Sequence, residues 1–125
     1  MSLNVKLLRR VRDKILKEPL QFEMSQWYTL ALDHPIPNCG TAACIAGWAI
    51  ALAEKKSPAA CYDTNNIQGK AMRLLGIEDD PWKLFAVSSW PIRYQNQFYN
   101  TGSLKVRARI AARRIDAYIK EQLSK

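Results

Sequence analysis

From Ala42 to Ala53 the chain runs for twelve residues without a charge. The thiol of Cys44 is the polar group that stands out in it. No other stretch is so uniformly apolar, and the run predicts a helix buried on nearly all sides, at the centre of the fold. It is too short to cross a bilayer, which takes about 20 residues. Asn38, Gly40 and Thr41 precede it as turn and cap residues. Thr41 is the predicted N-cap, its hydroxyl accepting the N–H of Ala43 or Cys44. Helical spacing places Ala42, Ala46, Ala49 and Ala53 on one side, with Ala43, Gly47 and Ala51 beside them. These small residues allow close approach by other helices. Gly47 costs about 1 kcal/mol against alanine inside a helix, so a near neighbour is its expected purpose.

The remaining pattern is amphipathic. Leu3, Leu7, Leu8, Val11 and Ile15 make a helical stripe over Asn4 to Lys17, and Pro19 ends it. Leu20 to Leu32 is irregular, with Phe22, Met24, Trp27, Tyr28 and Leu30 as core or pocket residues. Two prolines stiffen the loop Asp33 to Asn38. Thr64 is the predicted cap of a helix from Asn65 to Leu75 with Ile67, Ala71, Leu74 and Leu75 inward, and Gly76 stops it. Asp79-Asp80-Pro81 starts a short helix that turns Trp82, Phe85 and Ala86 inward. Ser88 to Gly102 reads as an aromatic loop. Thr101-Gly102-Ser103 then caps a final helix, Leu104 to about Leu123, whose inward stripe is Leu104, Ala108, Ala111, Ile115, Tyr118 and Ile119. No alternating β-branched run reads as a strand. The expected architecture is all-α: one domain over residues 1–125, with about five helices around Ala42–Ala53.

The string Cys39-Gly40-Thr41-x-x-Cys44-Ile45-Ala46-Gly47-Trp48-Ala49 resembles a motif of a family of small uncharacterised bacterial and phage proteins. Met24 and Trp27 upstream, with Leu75-Gly76-Ile77 and Leu84-Phe85 downstream, extend the resemblance over residues 22 to 91. The resemblance implies no activity, since none is attached to that family.

At 125 residues, with 48% hydrophobic and 24% charged positions, the chain can bury a core and is not composed like a disordered segment. The N-terminus is charged within ten residues and has no apolar signal region. Three cysteines without a secretory context suggest free thiols and a cytoplasmic location. The net charge of +8 lies at the two ends. Residues 1–18 hold six Lys/Arg against two acids, and residues 103–125 hold seven against two. If the terminal helices pack side by side, Lys6, Arg10, Lys105, Arg109 and Arg113 make one positive surface for nucleic acid or an acidic protein. Aromatics of the Tyr94–Tyr99 segment could add stacking. No helix-turn-helix signature is evident.

Two catalytic readings stand beside this one. Cys44 near a helix start would have its thiolate favoured, and His34 is the one histidine that could serve it as a base. The string looks superficially like the cysteine helix of papain-like proteases. It departs from that pattern because Trp48 follows Cys44 by four residues rather than one, and because no histidine follows the cysteine. His34, Cys39, Cys44 and Cys61 also form a possible Cys₃His metal set, without the two-residue knuckle of common zinc sites. Four tryptophans could line a small-molecule groove, though they more often build core. Nothing calls for an organic cofactor. The composite expectation is a small helical binding or regulatory module. The alternative is an enzyme that depends on Cys44 with His34, or on a metal.

Overall fold

Residues 3–22, 24, 28–30, 41–55, 66–78 and 80–124 are described by the computed structural model. Among them six α-helices form: α1 (Val5–Lys17), α2 (Ile45–Ala53), α3 (Ile67–Leu75), α4 (Trp82–Phe85), α5 (Ile92–Tyr99) and α6 (Leu104–Leu123). The fold is all-α, as the periodicity predicts. One three-residue ribbon is added to it, in which β1 (Tyr28–Leu30) pairs antiparallel with β2 (Thr41–Ala43).

That ribbon corrects the start of the central helix. The register pairs Tyr28 with Ala43, Thr29 with Ala42 and Leu30 with Thr41. The backbone of residues 41–43 therefore serves a ladder instead of a first helical turn. Thr41 is not the N-cap. Cys44 is, with extended φ −82° and ψ −175°, and its Sγ accepts the N–H of Gly47 at 3.5 Å. Ala42 and Ala43 leave the helical stripes, which keep Ala46, Ala49 and Ala53 on one side and Gly47 and Ala51 beside them. The burial forecast holds: Ile45 to Ala51 are all buried. Consecutive helical residues are 100° apart, so burial of the whole run means that every face is covered. α1 and α3 pack on α2, and the Lys70 ammonium pairs with Glu54 just beyond its end.

Asn4 ties the first helix to the third. Its side chain accepts from the N–H of Leu7 at 3.0 Å and donates to Leu74 O at 3.1 Å. Its own N–H reaches Leu75 O at 2.7 Å. The orphan groups of one helix start and one helix end thus satisfy each other. Of the predicted α1 stripe, Leu7, Leu8, Val11 and Ile15 are buried, while Leu3 lies before the helix and is half-buried.

α3 begins two residues later than predicted. Thr64 lies outside the described residues, and the cap is Asn66, whose Oδ1 accepts from Gly69 N at 3.2 Å. Gly76 ends α3 as foreseen, at φ 71°, and the N–H groups of Gly76 and Ile77 both donate to Met72 O. An alanine there must hold a left-handed backbone. Gly76→Ala is expected to lower stability by about 1 kcal/mol in urea unfolding. A stabilised variant would show that Gly76 is not held left-handed in solution.

The C-terminal half departs from the forecast in three places. Asp80 Oδ1 accepts from Trp82 N at 3.0 Å, as the start signal implies. However, α4 turns Leu84 and Phe85 inward and leaves Trp82 40% exposed. Ser88 to Gly102 is mostly helix rather than loop. α5 was illegible because its one buried residue is Phe98, which leaves no apolar period to read. Trp90 anchors the approach to α5, donating its Nε1–H to Leu84 O at 2.9 Å and meeting Phe98 edge-on at 5.5 Å. Ser103 caps α6 by accepting from Val106 N at 3.2 Å. The α6 stripe is buried from Ala108 onward, but Leu104 is exposed.

Candidate functional site

Cys44 is buried in the core, and its sulfur caps α2. His34, Cys39 and Cys61, the other members of the catalytic and metal sets, lie outside the described residues. Among the described residues no three His, Cys, Asp or Glu side chains converge on a possible metal position. The tryptophans split: Trp48 and Trp90 are core, Trp82 faces outward, and Trp27 lies outside the described residues. No helix among the described residues is long and apolar enough to cross a membrane.

The basic ends do come together. α1 packs along α6, and Arg12 crosses the seam, its Nη1 donating to Asp116 Oδ1 at 2.7 Å and its Nε to Asp13 Oδ1 at 3.0 Å. The bonds to Asp116 and then to Asp13 raise the pKa of Arg12. The opposite flank of α6 meets α4 and α5. Arg107 Nε donates to Phe98 O at 3.2 Å and Thr101 O at 3.1 Å, and its guanidinium lies over the Phe98 ring. Helical geometry places residue 107 about 180° and residue 114 about 160° around α6 from residue 116. α6 therefore packs against α1 on one flank and against α4 and α5 on the other.

The five predicted polyanion residues, Lys6, Arg10, Lys105, Arg109 and Arg113, are all exposed. They do not form one set. Arg10 turns away from the seam and its Nη2 approaches Leu52 O at 3.5 Å, at the end of α2. Lys14, on the same flank, lies over the Trp48 ring. Arg109 and Arg113 occupy the outer band of α6, between its two buried flanks. Two further cations share the outer surface and were missed by the charge-stripe reading: Arg9, three residues before Arg12, and Lys120, four after Asp116. Asp13 and Asp116 at the seam partly offset this charge.

Arg114 was also missed, for a different reason. It looks like one more charge on the final helix, yet it is buried to 1% exposure. Its Nη2 and Nε donate to Lys83 O at 2.8 and 3.2 Å, and its Nη1 reaches Glu121 Oε2 at 2.8 Å. It holds the end of α4 and is unavailable to a ligand.

No protein-family model matches the chain, and neither does a curated protein or a solved structure.

Proposed function

We propose that the chain is a small helical binding module for a polyanion, acting in the cytoplasm through the outer surface of its terminal helices. The observation that carries this reading is the packing of α1 against α6, the two elements that hold the excess charge. Arg9, Lys105, Arg109, Arg113 and Lys120 are exposed on these helices. Cations spaced along one surface suit a chain of phosphates or sulfates, whose counterions are released on binding.

Heparin chromatography on a salt gradient tests it. The wild-type protein is expected to be retained and to elute with salt, since each phosphate-like contact adds about 0.9 to the slope of log affinity against log salt on duplex DNA. Arg109→Glu with Arg113→Glu should elute much earlier with unchanged helicity by circular dichroism. Both residues are exposed, so the swap disturbs no packing. Unchanged elution would reduce the charge to a solubilising role and sink the proposal.

A further inference from the structure

We infer that the polyanion is duplex DNA, and that α5 presents the side chains that read base edges while the outer band of α6 holds phosphates. This inference rests on the polyanion reading and adds the partner and the reading helix. The first observation is one of charge. From Pro81 to Ile115 the chain has no Asp or Glu and seven Lys/Arg. The seam with α1 contains Asp13 and Asp116, so the carboxylate-free region is α5 with the first half of α6. A polyanion would be repelled least there.

The second observation is the identity of the exposed side chains on α5. Arg93, Asn96, Gln97 and Asn100 are exposed and recur at spacings of three and four, so they form one stripe. Phe98 is buried on the other side, and Gln95 is committed to the backbone, its Nε2 donating to Ser88 O at 3.1 Å and Trp90 O at 2.6 Å. Arg93 is held against Tyr94, its guanidinium 5.0 Å from the ring centroid. Guanidinium and primary amides are the groups that bond bidentately to guanine and adenine in the major groove. An acidic protein would use the cations and leave the amides idle. A single strand would be expected to find several stacking rings, whereas Tyr99 is the one strongly exposed aromatic of α5.

The third observation is shape. α5 and α6 are joined by the turn Asn100 to Ser103, which includes Gly102. The two helices pack on each other across this short connection. A helix about 10–12 Å across enters a major groove about 12 Å wide.

The test uses the full chain and a pool of short randomised DNA duplexes, enriched by rounds of binding and sequenced, with heparin as the polyanion that has no bases. A preferred sequence is expected to emerge. Asn96→Ala with Gln97→Ala should leave heparin elution unchanged and weaken the enriched duplex by about tenfold or more. Arg109→Glu with Arg113→Glu should weaken both. Heparin retention with no enriched sequence, or an Asn96/Gln97 variant that binds the duplex like wild type, overturns the inference and leaves the polyanion reading standing. Tighter binding to the matching single strand overturns the choice of duplex. Failure of the wild-type protein to hold heparin overturns the reading beneath.

Discussion

Replacing Gly47 by leucine is expected to cost several kcal/mol and to lower the thermal midpoint by about 10 °C or more. Gly47 is buried in the first turn of α2, and its neighbours from Ile45 to Ala51 are buried with it. A leucine side chain therefore has no solvent-facing direction in which to turn. Native cores pack at crystal-like density, and added methylenes typically cost about 1–3 kcal/mol even where a neighbour can yield. Four added heavy atoms in the most enclosed helix should exceed that. Helix propensity works the other way, favouring leucine by somewhat under 1 kcal/mol. The steric term should win, and a domain of this size has about 5–15 kcal/mol to lose. Gly47→Ala gives the graded comparison. It gains up to about 1 kcal/mol from propensity if a methyl fits and loses stability if it does not. Thermal unfolding followed by circular dichroism reads both. A leucine variant with an unchanged or raised midpoint would place a cavity beside Gly47, and the close-packed centre described above would be wrong.

How far the fold could be read depends on how each element is stabilised. α1 and α6 were legible nearly to their ends, because each buries a regular stripe and starts at a side-chain cap, Asn4 or Ser103. Local signals suffice for such helices. The start of α2 was misplaced by three residues, because Thr41 to Ala43 pair with a strand far away in sequence. A Thr-Ala-Ala segment has little intrinsic preference for strand, and what places it there is its pairing partner. α5 was missed for the opposite reason: it is mostly exposed, so no hydrophobic period marks it. Trp82 was placed inward on its character alone, whereas Leu84 and Phe85 fill that side of α4.

The candidate site was legible as charge and not as geometry. The concentration of Lys and Arg at both ends is plain in the sequence. Which cations share a surface depends on helix rotation, and there Arg10 parts from Arg109. The signal that would have shifted attention to α5 and the start of α6 was also present, as the stretch without carboxylates from Pro81 to Ile115. Counting charge by chain end hid it, since it straddles the boundary at Ser103.

Arg114→Ala is expected to cost about 3 kcal/mol. The guanidinium makes two hydrogen bonds to Lys83 O and one to Glu121, with the Tyr118 and Tyr94 rings 5.7 and 5.9 Å from it. Lys83 lies near the end of α4, a helix of one turn whose carbonyls have few partners within it. A cation there satisfies the carbonyl. A hydrogen bond that involves a charged group contributes about 1.5–3 kcal/mol, and alanine also leaves a void among the aromatic rings. The loss should stop short of the top of the range for broken buried pairs, because the Glu121 side chain is 49% exposed and can be rehydrated. The same exposure makes Glu121→Gln mild, at about 1 kcal/mol or less, since the amide still accepts from Nη1. Arg114→Lys keeps the charge and loses the planar fork, so it should fall between the two. Urea midpoints should therefore decrease in the order wild type, Glu121→Gln, Arg114→Lys, Arg114→Ala. If Glu121→Gln proved as costly as Arg114→Ala, the ion pair rather than the Lys83 carbonyl would be the reason for burying an arginine here. If Arg114→Ala stayed within about 0.5 kcal/mol of wild type, as an ordinary surface change would, then α4 does not depend on this side chain, and the anchoring of α4 to α6 must lie in Leu84 and Phe85 alone.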